Sequence, residues 1–514
     1  MMRHVVGADL GTSSVKVVVL REDGVVIGSA TESYALSTPH PGWAEQDPHA
    51  WWAAFRSALR DLLARVALPA DSIQAMAVGG QMHGLALLDA RGDSLCPAII
   101  WPDQRSAAEA AAIEHQLANH DLVRTLGGGV SPGFMLASLA WRRVHEPETW
   151  ARAATALLPK DYLRYRVTGV LASDPSDGCG IPLVDLSSWA WSAEALEQLD
   201  LPAHLLPPLL PSTAPAGTVT PGAAEATGLP AGLPVFCGGS DQAMGAIGAG
   251  LLEPGPLLLS ISTGGQMVTV LDAPPEAPAR GLRTLCHALP GRYLALAATL
   301  GAGLSLTWLR ERVFADASPD ANADLLSLAA TAPPGAGGLL FFPYLAGERM
   351  PLLDPEASGA WLGLRLDHGR AHLARAVLEG VVFGLRQALE PLRETAARPT
   401  HILLAGGMAR APLVQRVVAD VLGQPVQGLR TTEQAALGAA LLAAVGVRLF
   451  PDLAAARAAA VAYEAPLLPD PARAGLYDQL YAHYQGFYPK VRDDMHALRR
   501  IGHEGAVLAP DARP

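Results

Sequence analysis

Cysteine is scarce in this chain of 514 residues. The four cysteines, Cys96, Cys179, Cys237 and Cys286, stand far apart and form no CxxC pair. This spacing argues against a zinc site and against a disulfide framework. We therefore expect reduced thiols in a cytoplasmic protein.

Two other features are missing, an excess of positive charge and a long hydrophobic run. Lys and Arg number 38 against 49 Asp and Glu, a net charge of -11 that disfavours nucleic acid as the main partner. The Ala-rich stretch 434–447 contains a glycine and is too short to cross a bilayer, so we predict a buried helix and no membrane partner. Residues 1–10 carry two charges and a glycine, so we expect no signal peptide. A small molecule is the expected substrate.

The length and the hydrophobic content point to several packed units. Half of the residues are hydrophobic, and roughly 150 residues per domain predicts two to four structural units. The proline-rich segment 201–234 is too broken for a helix and is typical of a connection. We predict an N-terminal domain over 1–234, a C-terminal domain over 235–465, and a C-terminal helix and tail over 466–514.

Two turns rich in glycine and hydroxyl groups follow apolar, strand-like runs. The first turn, 9–14, reads DLGTSS and joins the runs 5–8 and 15–20 of an antiparallel meander. The second, 262–265, reads STGG and follows the run 257–261. Such turns offer N–H groups and hydroxyls to a phosphate, although a plain hairpin is the alternative for the first. Their centres, Thr12 and Thr263, are separated by about half the chain, which predicts two similar domains with a nucleotide between them.

A single carboxylate, Asp241, stands among small residues just after the strand-like run 235–237. The glycines at 238 and 239 let a substrate and a phosphate come close to the backbone. A carboxylate in this setting can accept a proton from a substrate hydroxyl. The alternative is a loop Asp that caps the helix starting near Gln242.

Other candidate binding residues follow apolar runs. The segment 81–84 with Met82 and His83 follows the run 73–78, and polar residues at the carboxyl end of a strand usually line a crevice. A hydrogen-bonded loop histidine is the alternative for His83. Asp103 and Arg105 stand two residues apart after another apolar run and could orient sugar hydroxyls or simply pair with neighbours.

A glycine pair, Gly406 and Gly407, ends the strand-like run 402–405. Without side chains these residues would permit a flat ring such as adenine to approach the backbone closely. A structural tight turn is the competing interpretation of the same pair.

Together these motifs resemble the FGGY family of carbohydrate kinases, and within it the members that act on D-xylulose. The resemblance covers nearly all residues from 7 to about 446. It rests on the first hairpin (7–16), on the segment 81–84 and on LPKDYL at 158–163. It also rests on the spaced positions Gly359, Trp361, Gly363, Leu364, His372, Leu373, Ala376 and Glu379.

The resemblance implies an α/β fold of two actin-like, ribonuclease-H-type domains that close around ATP and a sugar. It implies phosphorylation of D-xylulose at O5, with D-ribulose or another polyol as the nearest variants, and it is compatible with a homodimer. Asp241 matches the catalytic base, and Asp9 matches an acid that places Mg²⁺ and the phosphates. The other matches are Thr12 and Ser13 in the first phosphate loop, Thr263 and Gly264 in the second, Gly406 and Gly407 at adenine, and Met82 and His83 at the sugar, where Asp103 is a further candidate.

A non-catalytic member that binds sugar or nucleotide is the competing hypothesis. The retained Asp9, Thr12, Thr263 and Asp241 argue against it, because a binding module needs no base.

Several positions depart from the family pattern. Ala137 and Ser138 replace a usual Pro-Lys pair, and the second phosphate turn reads Ser-Thr-Gly instead of Gly-Thr-Ser. Gln242 replaces a frequent Asn, and Met350 a common Thr. None of these changes removes the base or a phosphate loop, but Ser138 and Gln242 bear on which sugar is preferred.

Overall fold

A computed structural model describes residues 2–118, 120–277, 279, 281–316, 321–394 and 398–507, in which two six-stranded sheets form the framework. The strands of the described residues are β1 His4–Leu10, β2 Ser14–Arg21, β3 Val26–Ser33, β4 Glu45–Gln46, β5 Ile73–Gly80, β6 Ala86–Leu88, β7 Ala98–Ile99, β8 Thr155–Leu157, β9 Val184–Asp185, β10 Ala190–Trp191, β11 Pro215–Thr218, β12 Pro234–Ser240, β13 Pro256–Ile261, β14 Gly265–Leu271, β15 Arg283–Cys286, β16 Tyr293–Thr299, β17 Leu340–Phe342, β18 Ala360–Leu362, β19 His401–Ala405 and β20 Val426–Gly428.

The α-helices of the same residues are α1 Pro48–Val66, α2 Ala107–Gln116, α3 His120–Thr125, α4 Met135–His145, α5 Pro147–Arg152, α6 Pro159–Thr168, α7 Pro175–Gly178, α8 Ala193–Gln198, α9 Pro221–Thr227, α10 Asp241–Ala249, α11 Gly303–Trp308, α12 Ala321–Ala330, α13 Arg370–Glu394, α14 Pro412–Leu422, α15 Gln434–Gly446, α16 Leu453–Ala460 and α17 Pro471–Val507. Within the part of the chain that is described, no helix combines the length and the apolar character needed to cross a membrane.

Five strands of each sheet share one topology, and the sixth strands, β11 and β15, lie at opposite edges. In the first sheet, β1, β2 and β3 form an antiparallel meander, and β5 and then β12 continue the sheet parallel to β1. In the second, β13, β14 and β16 form the meander, and β19 and then β20 run parallel to β13. The repeat confirms the predicted α/β fold with two similar halves, and it confirms the meander predicted at the start of the chain.

A pair of helices joins the two halves. Helices α10 and α15 approach so closely that a Cβ at Gly438 or Gly248 would collide with the backbone of the other helix. Helix α15 also touches β1, where a Cβ at Gly7 would collide with the α15 backbone. Leu437 and Leu441 of this helix are fully buried, so the predicted buried helix over 434–447 is confirmed. One continuous apolar cluster therefore runs from the first sheet through the helix pair to the second sheet.

The change from the first sheet to the second occurs later than the boundary predicted near Pro234. Strand β12 begins at Pro234 and belongs to the first sheet, since Val235 pairs with Met76 of β5. The proline-rich segment before it contributes an edge strand, β11, and the short helix α9. Proline is tolerated at an edge, where its missing N–H breaks no ladder hydrogen bond.

The C-terminal helix lies against the second half. Helix α17 lies within 466–514, where a C-terminal helix and tail are predicted. Its tyrosines are buried against α13 and β17: Tyr477 donates its hydroxyl to Glu379 at 2.8 Å, and Tyr484 stacks on Phe342 at 4.8 Å. The aromatic stripe explains why the helix packs on the body of the molecule.

Candidate active site

Asp9 and Asp241 lie at one edge of the first sheet. Asp9 is near the end of β1 and pairs with Gly79 of β5, while Ser240, the last residue of β12, pairs with Gly80. Because β1, β5 and β12 are parallel, their carboxyl ends meet at the same edge. Both carboxylates line a cavity whose other walls come from the second sheet and from the start of α15.

Local backbone geometry places Asp241 at the first position of α10. Gly238 has φ of +73°, and a Cβ there would collide with the carbonyl oxygen of Val78. The pairing of β12 with β5 is irregular at this glycine, as expected for a bulge that redirects a strand. The cap of α10 is Ser240, whose Oγ accepts a hydrogen bond from Ala243 N at 3.2 Å. Ser240 therefore caps α10, and the Asp241 carboxylate lines the cavity.

Burial and neighbouring charges raise the pKa of both carboxylates. Burial, and then the charge of Asp9, raise the pKa of Asp241 to about 7. Burial also raises the pKa of Asp9 to about 6, where Lys16 opposes the shift and Glu433 adds to it. Desolvation disfavours the charged form, and a like charge nearby disfavours it further. Asp241 is consequently poised to exchange a proton near neutral pH.

The carboxylate oxygens suit a hard cation. Oδ1 of Asp9 and Oδ1 of Asp241 are shielded from solvent and have no hydrogen-bond partner among the described residues. The described part of the chain contains no group of three or more His, Cys, Asp or Glu arranged to hold a metal. This is compatible with Mg²⁺, which commonly takes one or two carboxylates and completes its shell with phosphate oxygens and water.

The first glycine-rich turn is a tight, anchored hairpin. Gly11 N donates to Ser14 O at 3.0 Å and closes the turn. Thr12 Oγ1 accepts from Trp101 Nε1 at 2.9 Å, and Thr12 O accepts from Gln46 Nε2 at 2.6 Å. Ser13 is exposed at the tip. The anchoring holds the backbone in place while the Thr12 hydroxyl proton and the tip remain available to a ligand.

The second turn has the same position on the second sheet. Ser262 N donates to Gly264 O at 2.9 Å, and the exposed Thr263 stands between them. Leu304 N of α11 donates to Thr263 O at 3.0 Å. A Cβ at Gly264 would lie 2.5 Å from Thr299 O, so only glycine fits there.

The glycine pair after β19 divides into two different positions. Gly406 has φ of +99°, and a Cβ there would collide with Ile261 O of β13. Gly407 is exposed, and a Cβ there would meet nothing within 4 Å. The tight-turn interpretation therefore describes Gly406, while Gly407 presents open space of the kind a flat ring could occupy.

His83 has a left-handed backbone conformation, and two contacts hold its ring in one orientation. Its φ is +76°, its ring stacks on Phe134 at 3.8 Å with an interplanar angle of 2°, and its Nδ1 lies 2.6 Å from Gly180 O. Because a carbonyl oxygen can only accept, Nδ1 carries the proton and Nε2 keeps a lone pair. Burial, with Arg283 next, lowers the pKa of His83 to about 3, so the ring is neutral near pH 7. Met82 beside it is buried.

Asp103 is engaged in a closed ion-pair network. Its carboxylate accepts from Ala44 N at 2.6 Å and from Arg105 Nη2 at 2.7 Å. Arg105 also reaches Glu45 at 2.7 Å and lies over Trp43 at 3.5 Å. The sequence left open whether Asp103 and Arg105 orient sugar hydroxyls or pair with neighbours. In the structure they pair with each other and with neighbours, and contact between Asp103 and the sugar stays a prediction.

Sequence reasoning missed a buried ionic network behind Asp241. Lys160 Nζ lies 2.5 Å from Asp161, 3.0 Å from Asp174 and 3.8 Å from Asp177, and all four side chains are fully buried. Asp174 Oδ2 accepts from Ser176 Oγ at 2.6 Å. The signal was available as the Lys-Asp of the LPKDYL segment and the SDPSD sequence at 173–177, but nothing local connects the two.

The departures from the family pattern have distinct surroundings. Ser138 is fully buried in α4 and its hydroxyl has no partner among the described residues. Gln242 lines the cavity, and its Nε2 donates to Gln266 Oε1 of β14 at 3.3 Å. Gln242 thus links the two halves of the molecule immediately beside Asp241.

The fold and the site define a class of protein. Two sheets with the same five-stranded core, a glycine- and hydroxyl-rich hairpin on each, and two carboxylates in the cavity between them form an actin-like phosphotransferase. Residues 4–248 match the FGGY family of carbohydrate kinases, N-terminal domain, and residues 258–447 match its C-terminal domain. The chain belongs to the FGGY family of carbohydrate kinases.

Particular relatives narrow the comparison. The chain is 38% identical to the xylulose kinase of Escherichia coli over 442 residues, which are 86% of this chain and 89% of that protein. It superimposes on the crystal structure of xylulose kinase from Rhodospirillum rubrum with a TM-score of 0.89 and 33% identity, covering 96% of this chain and all of that one. A gluconokinase of Bacillus subtilis is 29% identical, covering 86% of this chain and 87% of that protein. The protein is thus a carbohydrate kinase that uses ATP to phosphorylate a sugar.

Proposed function

We propose that this protein transfers the γ-phosphoryl group of ATP to O5 of D-xylulose, with Asp241 as the general base. The observation that carries the proposal is the Asp241 carboxylate, which has an unpartnered oxygen at the start of α10, in a cavity that both halves line. Its pKa of about 7 suits a base that works near neutral pH. Similarity to xylulose kinases over most of their length supports D-xylulose as the sugar.

A primary hydroxyl is a weak nucleophile at neutral pH. In the proposed reaction Asp241 accepts the O5 proton while O5 bonds to the γ-phosphorus and the bond from that phosphorus to ADP breaks. Alignment of the two substrates supplies most of the remaining acceleration. The fixed position of Asp241 at the start of α10 serves that alignment.

The phosphates are proposed to rest on the two hairpins. Thr12 and Ser13 on one side and Thr263 and Gly264 on the other offer backbone N–H groups and hydroxyls. Asp9 would hold Mg²⁺, which when bound offsets phosphate charge. Lys16 is paired with Glu433 at 2.8 Å, so the hairpin backbones carry much of the phosphate binding.

The sugar and the adenine are proposed to occupy opposite ends of the cleft. His83 offers the lone pair of Nε2 to a sugar hydroxyl, and Met82 packs beside it. The open space at Gly407 is proposed to receive the adenine ring, with Gly406 forming the turn that exposes it.

The proposal is tested by coupled ADP release with MgATP and a panel of D-xylulose, D-ribulose, D-gluconate, xylitol and glycerol. We expect the highest kcat/KM with D-xylulose, and phosphorus NMR of the product should place the phosphate on C5. A higher kcat/KM with another member of the panel would make that compound the preferred substrate and would leave the proposed phosphoryl transfer unchanged. No turnover with any member would refute the proposed reaction.

A further inference from the structure

Arg283 belongs to the second half of the molecule but reaches into the first. It begins β15, and its Nη1 donates to Gly129 O at 3.2 Å. The next residue, Thr284, donates its backbone N–H to Gly127 O at 2.9 Å. These two bonds hold the start of β15 against the 127–129 turn and fix the direction of the Arg283 side chain.

Two of the three guanidinium nitrogens of Arg283 lack a hydrogen-bond acceptor among the residues that the structure describes. Nε and Nη2 of Arg283 are shielded from solvent and have no hydrogen-bond partner among the residues that the structure describes. Glu114, the carboxylate whose charge acts on Arg283, instead accepts from Val130 N at 2.9 Å. Burial lowers the pKa of Arg283 to about 10, which still leaves it charged at neutral pH. A buried cation with unmet donors is costly unless an acceptor arrives with a ligand.

Arg283 and His83, the residue proposed to bind the sugar, contact the same aromatic ring. Arg283 Cζ is 4.7 Å from the centre of the Phe134 ring, and His83 stacks on that same ring at 3.8 Å. The charge of Arg283 is also the largest electrostatic influence on the His83 ring after burial. Phe134 therefore contacts both His83, a neutral histidine with an accepting nitrogen, and Arg283, an arginine with free N–H groups.

These two groups fit different oxygen atoms. The lone pair of His83 Nε2 can accept from a hydroxyl, while the Arg283 N–H groups can only donate. An sp² oxygen has no proton to place and matches two converging N–H groups better than a hydroxyl does. A ketone oxygen and a carboxylate share this chemistry, and a polyol lacks it.

We propose that Arg283 is a specificity-determining residue, whose Nε and Nη2 donate to an sp² oxygen of the sugar, either the ketone of a ketose or the carboxylate of an aldonate. The inference rests on the proposed function, because it takes the surroundings of His83 as the sugar site. It adds to that function a residue from the second half of the molecule, so the proposed sugar site is complete only when both halves are in contact.

The test compares Arg283→Met and Arg283→Lys with the wild-type enzyme on D-xylulose, D-gluconate and xylitol. If Arg283 binds an sp² oxygen, Arg283→Met lowers kcat/KM for the better of the first two substrates roughly 10- to 100-fold. The same variant should change kcat/KM for xylitol less than about threefold, because xylitol offers no such oxygen. Arg283→Lys keeps the charge but not the paired donors and should fall in between.

Arg292→Met is the matched control. Arg292 precedes β16, pairs with Asp272 and is partly exposed outside the site, so its loss should leave all three activities unchanged. An equal loss of kcat/KM on xylitol and on the substrate with the sp² oxygen would overturn the inference. If Arg283→Met fails to fold, the same comparison is made with Arg283→Lys. The two failures are distinguishable: preference for D-gluconate with selective loss in Arg283→Met would refute D-xylulose and keep the role of Arg283.

Discussion

The side chain of Ser176 accepts a hydrogen bond from the backbone N–H of Ser240 at 3.1 Å. Ser240 caps α10, and Asp241 is the first residue of that helix. Ser176 in turn donates to Asp174, which faces Lys160 at 3.0 Å. The buried ionic network thus reaches the proposed base through one backbone hydrogen bond, and Ser176 is a positioning residue.

We expect Ser176→Ala to lower kcat about tenfold while KM for the sugar and for ATP changes little. The reason is that Ser240 N loses its acceptor and the start of α10 is no longer held, so Asp241 is misaligned while the binding surfaces stay. Steady-state kinetics with each substrate varied separately would show the split. Ser187→Ala is the matched control, because Ser187 makes the same hydroxyl bond to an Asp two residues earlier, at 2.7 Å on an exposed turn. A rise in KM with unchanged kcat would contradict the positioning role.

Asp241→Asn should lose turnover on the order of 100-fold or more, because an amide has nearly the same shape but cannot accept the O5 proton. Sugar binding should persist, since the amide still fills the same space beside Gln242. ADP release gives the first result and calorimetric titration with D-xylulose the second. Asp23→Asn, on an exposed turn and paired with Arg21, is a suitable control. Wild-type turnover in Asp241→Asn would show that Asp241 is not the general base.

The pH dependence of kcat/KM should show an acidic limb near pH 7. The carboxylate is the active form of Asp241, so activity is present above its pKa of about 7 and is lost as the pH falls through that value. Asp9, with a pKa of about 6, interacts with Asp241, so the observed limb belongs to the pair. His83, with a pKa of about 3, contributes no step between pH 5 and 9. A rate profile that is flat from pH 5 to 8 would exclude Asp241 as the base.

The parts of this fold that are predictable from sequence depend on local chemistry. The meander at the start of the chain follows from runs of β-branched residues separated by turn residues, and the helix 434–447 from its composition. The membership of β12 in the first sheet does not follow, because its partner Met76 is distant in sequence and the prolines before it are typical of a connection. Which strand pairs with which is decided by tertiary packing.

The site shows the same division between local and distant determinants. Ser240 and Asp241 are both good helix-capping residues, and only the backbone geometry shows that Ser240 is the cap. The bonding of Asp103 to Ala44 N requires a contact across the fold. Lys160 and Asp174 carry charges that are usually exposed, so their burial together cannot be read from either segment alone.

Substitutions at Gly406 and Gly407 should have different effects, one on stability and the other on ATP binding. Gly406→Ala should destabilise the protein by about 1–3 kcal/mol, because its φ of +99° is unfavourable for alanine and the new methyl group meets Ile261 O. Gly407→Ala should leave the melting temperature unchanged, since its Cβ would meet nothing within 4 Å, but it should raise KM for ATP if adenine occupies that space. Thermal unfolding and ATP-dependent kinetics on both variants make the comparison, with Gly423→Ala as a control for positive φ at the end of α14, away from the cleft. An unchanged KM for ATP in Gly407→Ala would place the adenine elsewhere, because a ring packed on the Gly407 backbone would contact the added methyl group.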